Sequence, residues 1–543
     1  MGTPVQPHAA ELLEEMRKLM HLKGENVFKV RAFEKGAEAV AGRDDLVELA
    51  RKGALTSIEG IGKGIAEVLN EYLLKGTATV RDELKASLPA GLMELTELPG
   101  LGPKKAMQLI EELDIHSVRE LEYACKENRL LKLKGFGVKV QEKILEGIRF
   151  LNSSQGQLRI DDAQTASTVW LNRMRESAET KIELTGALRR SRETVSELEF
   201  LIEGSESKRS KLEERSEVIR SASRISLPIK LHFSEARHFG FHLVKTSSTD
   251  EHWQALGAPA PFEATNEAEF YQKLKLPEIP AEARETGEEV KLAREGRLSD
   301  LLPYDGVAGV FHNHTTRSDG TATLEEMVQA ARAQGYKYLG ISDHSQTAFY
   351  AQGLKVDSLD AQEKEVRKLQ DKYTDIRIFW GIESDILADG SLDYEQSQLK
   401  RFDFVVASIH QRFKQDRQST TDRLLTAIRN PATRFLGHVT GRLLLGRPGY
   451  DLDMEAVIRE ASRQDVAIEI NANPARLDID WRWGPALRNS ETLVSINPDA
   501  HATEELENTR FGIAMARKAL LPRSLVVNSR DVRSVEKWLK REA

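Results

Sequence analysis

Residues 309–320 read GVFHNHTTRSDG. A short apolar run, Val307 to Phe311, leads straight into His312, Asn313 and His314, with Asp319 just beyond. Side chains alternate sides along an extended backbone, so residues i and i+2 point the same way. Two imidazoles held in that manner can grip one metal ion, and the rest of the chain can be searched for the other ligands.

The surrounding sequence from about residue 300 alternates short apolar runs with helical stretches. The runs are GVAGVF, KYLGIS, IRIFWGI, FDFVVAS, RFLGH, VAIEIN, TLVSIN and SLVVNS. Regular β-α alternation predicts a parallel sheet, and seven or eight such units fit a closed barrel, whose chemistry gathers at the C-terminal strand ends. The chain has 13 histidines, and those after residue 300 are His312, His314, His344, His410, His438 and His501. Each follows one of the apolar runs, and Asp499 and Glu383 sit at similar positions in SINPDAH and WGIES. One strand-end histidine is commonly a hydrogen-bonded rim residue. The joint pattern predicts a site for two or three divalent ions held by His312, His314, Asp319, His344, Glu383, His410, His438, Asp499 and His501. Nitrogen and oxygen ligands suit manganese, zinc or iron, with manganese or zinc expected here. Clustered metals of this kind activate water against phosphate esters. Arg442, Arg447 and Arg476 follow late strands and can grip phosphate oxygens or serve as surface salt bridges.

The bulk composition bounds the rest. A chain of 543 residues predicts about three or four domains. With 40% hydrophobic and 30% charged residues and a net charge of -7, it reads as a globular protein that can meet nucleic acid only through local patches. The single cysteine, Cys125, excludes an intramolecular disulfide and thiolate-rich zinc sites. No signal-peptide pattern or membrane-length apolar stretch is present in the sequence, so a cytoplasmic, nucleoid-associated location and no membrane partner are expected.

Residues 8 to about 150 read as mostly helical and carry a weak repeat: IEGIGKGIAEVL from Ile58, LPGLGPKKAMQLI from Leu98 and LKGFGVKVQEKIL from Leu133. Gly60, Gly62, Gly100, Gly102, Gly135 and Gly137 precede helix starts, where bare N–H groups and the helix dipole bind phosphate without reading bases. Lys63, Lys104, Lys105, Lys139 and Lys143 add charge. The expected partner is therefore DNA, bound independently of sequence. LNSSQGQ (residues 151–157) reads as a linker and residues 275–289 as a connector.

FHNHTTRSDG, ISDHS, GIESD, SIHQ, GHVTGRLLLGRPGY, EINANPARLDIDWRW and INPDAH resemble the PHP (polymerase and histidinol phosphatase) domain at the C-terminus of bacterial family-X DNA polymerases. The glycine hairpins resemble helix-hairpin-helix motifs, and LKGENVFKVRAFEKGA resembles the N-terminal helical domain of the same polymerases. The resemblance implies all-α helix-hairpin-helix domains, an α+β nucleotidyltransferase-like palm and thumb, and an α/β distorted (βα)7 barrel. Expected boundaries are 1–85, 86–155, 156–295 and 300–543. It implies a trinuclear metal centre filled by the nine residues above, with His312, His314, His344, Glu383, Asp499 and His501 carrying a 3'-5' exonuclease or related phosphoesterase chemistry on gapped, nicked or single-stranded 3' ends by a monomer.

The middle region departs from the family pattern. GALRRSRETVSELEFLIEG resembles a palm motif that normally ends in paired aspartates, but holds Glu197 and Glu199. The third aspartate of the pattern falls on Lys230, the motif serine on Ala187, and two aromatics of the sugar pocket on Lys245 and Thr246. Two Mg²⁺ ions need concentrated negative charge. The expectation is an inactive polymerase site whose residues are salt-bridged strand positions. Alternatives are an active gap-filling polymerase with a proofreading barrel, a nucleotide phosphatase tethered to DNA, and a non-catalytic DNA-binding scaffold.

Overall fold

A computed structural model of the chain describes residues 9–40, 43, 45–96, 98, 101–152, 156–176, 180–204, 209–223 and 225–540. Gly100 and residues 153–155 of the expected linker lie outside them, and the linker's first two residues end helix Val138–Asn152. The chain divides into two compact units, Met1–Leu121 and Glu122–Ala543.

The first unit is helical, as its sequence predicts. Helices Ala9–Lys23, Val27–Val40 and Lys63–Lys75 bury Leu13, Met16, Leu19, Phe33, Ala37, Ile65 and Leu69, whose spacing places them on one face of each helix. Helix Pro103–Leu113 carries the second hairpin.

The second unit begins in helix Val118–Lys126 and continues through a 3-10 turn, Arg129–Lys132, into helix Val138–Asn152. Strands β1 (Leu158–Arg159) and β3 (Thr194–Val195) form a two-stranded pair. Strands β2 (Ile182–Thr185), β4 (Leu198–Glu203) and β5 (Ile229–Ser234) form a three-stranded sheet in the order β2-β4-β5. Glu199 and Lys230, expected at strand positions, lie on β4 and β5. The expected connector at 275–289 instead packs into the fold, with Glu282, Arg284 and Glu285 buried, because each finds a charged or backbone partner there.

Seven parallel strands follow: β6 (Gly309–Val310), β7 (Tyr338–Ile341), β8 (Arg377–Asp385), β9 (Phe404–Ser408), β10 (Thr433–Leu436), β11 (Ala467–Asn471) and β12 (Val494–Asn497). They pair in sequence order, as right-handed βα units do. A His314 N–H bond to the Ala500 carbonyl at 2.8 Å joins the two ends of the sheet. Their apolar runs are continuous rather than alternating because both faces are covered.

Phe311 follows β6, yet its ring lies 4.7 Å from that of Phe435 on β10 and 5.2 Å from Phe404 on β9. Strands that are not neighbours meet this way only across a barrel interior. A Cβ on Gly381 would lie 2.3 Å from the Phe404 ring, so glycine there makes room for the aromatic plug. The plug fills the interior beneath the strand ends that carry the histidines.

The eighth run, SLVVNS, does not form a strand. It makes two 3-10 turns, Arg523–Leu525 and Val527–Ser529. Asn528 explains why. Its amide donates to the carbonyls of Gly309 (2.9 Å) and Ile496 (2.6 Å) and accepts from the Ile496 N–H, so one side chain seals the seam between β6 and β12. Seven strands nearly close the barrel, and the eighth run meets β12 only at an isolated bridge between Val494 and Val526.

Candidate metal centre

All nine predicted ligands meet at the C-terminal ends of the strands. Among the described residues they fall into overlapping groups whose ligand atoms lie within 4.8 Å of one another: His314, Asp319, His344 and His501; His312, His438 and Asp499; His312, His314 and Glu383; and His344, Glu383 and His410. Glu383 lies at the middle. Its Oε1 is 3.2 Å from His312 Nε2, 3.2 Å from His410 Nε2 and 3.0 Å from His438 Nε2, and its Oε2 is 2.9 Å from His344 Nδ1. Asp499 Oδ1 lies 3.2 Å from His314 Nε2 and 3.4 Å from His312 Nε2, and Asp319 lies 3.4 Å from both His344 Nε2 and His501 Nε2.

The local chain is shaped for this. A Cβ on Gly320 would come within 2.8 Å of the His314 carbonyl, so only glycine lets the loop fold back and present Asp319. His438 and Asp499 both have positive φ, 20° and 53°. Such backbone persists where surrounding structure holds it, often at binding sites.

The cluster suits cations. His312 Nε2, His314 Nδ1, His438 Nδ1 and His501 Nε2 are buried and make no hydrogen bond. Buried polar atoms normally do, so these donor atoms have a missing partner. Burial opposes charge on His410 and His501, but Glu383 and Asp385 push the first up to about 9 and Asp319 pushes the second up to about 10. Burial, with His501 and His344 alongside, pushes His314 down to about 3. Burial would raise Asp319, Glu383 and Asp499, yet the facing histidines hold all three well below the usual carboxylate range. Protons occupy positions that a divalent ion would fill. His/Asp/Glu clusters that can bind metals are thus present, built of hard and borderline donors without sulfur.

A layer of carboxylates behind the ligands was not anticipated from the sequence. Glu469 accepts from His312 Nδ1 at 2.7 Å and from the His438 N–H at 2.7 Å. Asp385 faces His410 Nδ1 at 2.6 Å. Asp343 accepts from the Thr315 N–H at 2.7 Å and the Ser318 hydroxyl at 2.6 Å, fixing the loop that carries Asp319. Burial pushes Asp343 up to about 6, against these hydrogen bonds. Such partners fix imidazole tautomer and orientation. Their signal was in plain view: Asp343 precedes His344, Asp385 follows Glu383 by two, and Glu469 interrupts an otherwise apolar strand.

The three arginines separate. Arg442 donates to the carbonyls of Arg476 (2.9 Å) and Leu477 and to Asp480. Arg447 donates to the Gly441 carbonyl at 3.0 Å and stacks 4.4 Å over Phe413. Both guanidinium groups act as loop straps, since backbone carbonyls take their donors, and Arg442 also makes the ion pair with Asp480 that its alternative reading allows. Arg476 is the one that reaches the cluster, with Nε 3.8 Å from Asp499 Oδ2.

Residues 311–473 match the model of the PHP domain, residues 5–78 a helix-hairpin-helix domain and residues 92–149 a SAM-like helix-hairpin-helix tandem. The DNA polymerase/3'-5' exonuclease PolX of Bacillus subtilis (strain 168) is 34% identical over 98% of this chain and 98% of its own. The chain belongs to the PolX family. Within this PolX relationship the barrel has separate relatives. A probable phosphatase of Caldicellulosiruptor saccharolyticus is 35% identical over 30% of this chain and 64% of its own. The crystal structure of histidinol phosphate phosphatase from Lactococcus lactis, complexed with zinc, L-histidinol and phosphate, aligns at 17% identity with a TM-score of 0.32, covering 38% of this chain and 93% of its own.

In the palm of this PolX-family chain, Glu199 on β4 pairs in register with Lys230 on β5. Lys230 Nζ lies 3.0 Å from Glu199 Oε2 and 3.6 Å from Glu197 Oε1, and His232 Nε2 lies 2.8 Å from the same Glu199 oxygen. The Glu199 carboxylate also fills the space beside Gly186, where a Cβ would sit 2.1 Å away, next to Ala187. Thr246 is engaged with Thr185, hydroxyl to hydroxyl at 2.6 Å, and the Lys245 ammonium lies 5.8 Å from the Trp253 ring.

The PolX-type hairpins are built as their sequence suggests. Gly60 and Gly135 share φ +91°, which only glycine adopts freely. Gly62 and Gly102 are the residues before helices Lys63–Lys75 and Pro103–Leu113, and Gly137 precedes Val138–Asn152. A Cβ at Gly62, Gly102 or Gly137 would meet nothing within 4 Å, so these turns present open backbone. Lys63, Lys104 and Lys139 are exposed beside them and Lys105 half-buried.

Proposed function

We propose that this chain is a metal-dependent phosphodiesterase that removes nucleotides from the 3' ends of DNA in repair, and that its palm no longer polymerises. The observation that carries the reading is the convergence of nine imidazole and carboxylate ligands on Glu383. His312, His438 and Asp499 would hold one ion, and His314, Asp319, His344 and His501 another, with His410 and Glu383 completing a third position shared with His344. Manganese or zinc bound there would supply a water of lowered pKa and offset phosphate charge. Glu469 and Asp385 keep the Nδ1 protons of His312 and His410 in place, leaving each Nε2 as the ligand atom. Arg476 places its guanidinium beside Asp499, where it can take a non-bridging phosphate oxygen. The hairpin turns and their lysines hold the DNA backbone without reading bases.

The palm reading rests on Lys230. Its ammonium, with His232, occupies the Glu199 carboxylate that two Mg²⁺ would need. Among the described residues no helix is long and apolar enough to cross a membrane.

The test measures release of nucleotides from a 5'-labelled oligonucleotide with Mn²⁺, alongside dNTP incorporation on a gapped duplex. Cleavage is expected in wild type and abolished by His312→Ala and His344→Ala, with no incorporation. Cleavage surviving both substitutions refutes the reading. The phosphatase relatives supply a second reading, hydrolysis of free nucleotides. It gains support if a nucleoside monophosphate turns over faster than the oligonucleotide.

A further inference from the structure

Three side chains from outside the barrel approach the ligand cluster. All lie between Tyr123 and Lys132, in the end of helix Val118–Lys126 and the 3-10 turn after it. Tyr123 is buried against Leu443 and Ala475 of the barrel loops. Its hydroxyl accepts from Arg476 Nε at 3.0 Å, and its ring lies 4.4 Å from the same guanidinium. Glu127 Oε1 lies 3.9 Å from His501 Nε2, a buried donor atom with no hydrogen bond. Lys132 lies within electrostatic range of Asp319, and its turn packs on Phe349–Ala351, the turn that follows β7.

These contacts amount to more than helix packing. A buried phenol takes a polar partner, and here the partner is the one arginine of the late loops that also faces a predicted ligand. Binding Nε fixes the plane of the guanidinium and leaves its terminal nitrogens as a fork for phosphate. Three residues beyond Lys132 comes Gly135, whose open turn presents backbone amides, a distance of at most about 11 Å along the chain. A strand whose terminal phosphate lay in the cluster would run its preceding phosphates past Lys132 toward that turn. A free nucleotide has no phosphate to offer there.

We propose that Tyr123–Lys132 forms the outer wall of the metal centre, with Tyr123 a positioning residue for Arg476 and Lys132 a contact for the phosphate next to the one attacked, so that the site selects a polynucleotide end over a small ester. The inference rests on the phosphodiesterase reading given above.

The test uses the full-length, Mn²⁺-loaded protein with two substrates, a single-stranded oligonucleotide and bis(4-nitrophenyl) phosphate. Tyr123→Phe is expected to raise KM for both about tenfold while kcat moves less than about twofold, with bound metal unchanged. Lys132→Ala is expected to lower the ratio of oligonucleotide to small-ester kcat/KM about tenfold, and Lys132→Arg to restore it to within about threefold. In EDTA, an oligonucleotide carrying 2-aminopurine at its 3' terminus reports end binding without turnover, and Lys132→Ala should weaken it about tenfold. An unchanged KM in Tyr123→Phe, or an unchanged ratio and end affinity in Lys132→Ala, overturns the proposal. Wild type that cleaves neither substrate sinks the phosphodiesterase reading instead, and the EDTA titration still decides whether the wall meets the strand.

Discussion

Glu469→Gln is the sharpest perturbation of the metal centre, because it changes no ligand. The Glu469 carboxylate accepts four hydrogen bonds: from His312 Nδ1 (2.7 Å), the His438 N–H (2.7 Å), Asn497 Nδ2 (3.1 Å) and Asn471 Nδ2 (3.2 Å). A carboxylate can only accept, so it keeps the proton on His312 Nδ1 and the lone pair on Nε2. Glutamine has one acceptor oxygen and one NH₂. Whichever way it turns, the NH₂ meets either His312 and Asn497 or His438 and Asn471. Facing His312, it drives the proton to Nε2 and blocks the ligand atom. Facing His438, it leaves two buried donors unsatisfied, at about 1–3 kcal/mol each. Loss of such a partner lowers metal affinity by about 10–100-fold, or about 1.4–2.7 kcal/mol. The metal-free protein should be destabilised by about 2–6 kcal/mol from the two lost donors. Competition with a metal indicator measures the first quantity and urea unfolding in EDTA the second. Metal affinity within twofold of wild type would refute the tautomer argument, since the ligand atom would not depend on Glu469.

Three further outcomes follow from the geometry. His410 and His501 have pKa values of about 9 and 10 in the metal-free fold, above the ordinary imidazole value, so both are charged at pH 7 and contribute stability below about 6.5 that is lost as pH rises through 9 to 10. His312 and His344 are likewise raised well above the ordinary imidazole value by the carboxylates that face them, so metal must displace about four protons, and calorimetry in buffers of different ionisation enthalpy should find about four released per protein at pH 7; release of none would contradict the assignment. Gly320→Ala puts a Cβ 2.8 Å from the His314 backbone, which cannot yield, so it should cost about 1–3 kcal/mol in urea unfolding and lower metal occupancy. Lys230→Met breaks an ion pair whose lysine side chain is 52% exposed, so unfolding should shift by less than about 1 kcal/mol and incorporation should remain absent.

The barrel and its ligands were legible in the sequence because each is a local pattern. An apolar run of strand length followed by a histidine or carboxylate needs no distant information, and seven apolar runs in order, six of them ending in such a ligand, specify both the sheet and the rim. The glycine hairpins were legible for the same reason, since Gly60 and Gly135 demand a backbone conformation that their own residue type supplies. The eighth run misled because SLVVNS has strand composition, while its fate depended on Asn528 reaching Gly309 and Ile496, far away along the chain. Arg442 and Arg447 stayed ambiguous in the sequence, as a guanidinium at a strand end serves equally for phosphate or for the carbonyls of a neighbouring loop.

By itself the sequence determined which side chains stand at the strand ends and that Glu197, Glu199 and Lys230 stand in the palm-like motif. The tertiary structure alone decided that Glu383 is the shared centre, that Glu469, Asp385 and Asp343 stand behind the ligands, and that Tyr123 meets Arg476. The reason is physical: periodicity along the chain reports only which face a residue occupies, whereas a hydrogen bond between residues 353 positions apart exists only once packing has brought them together.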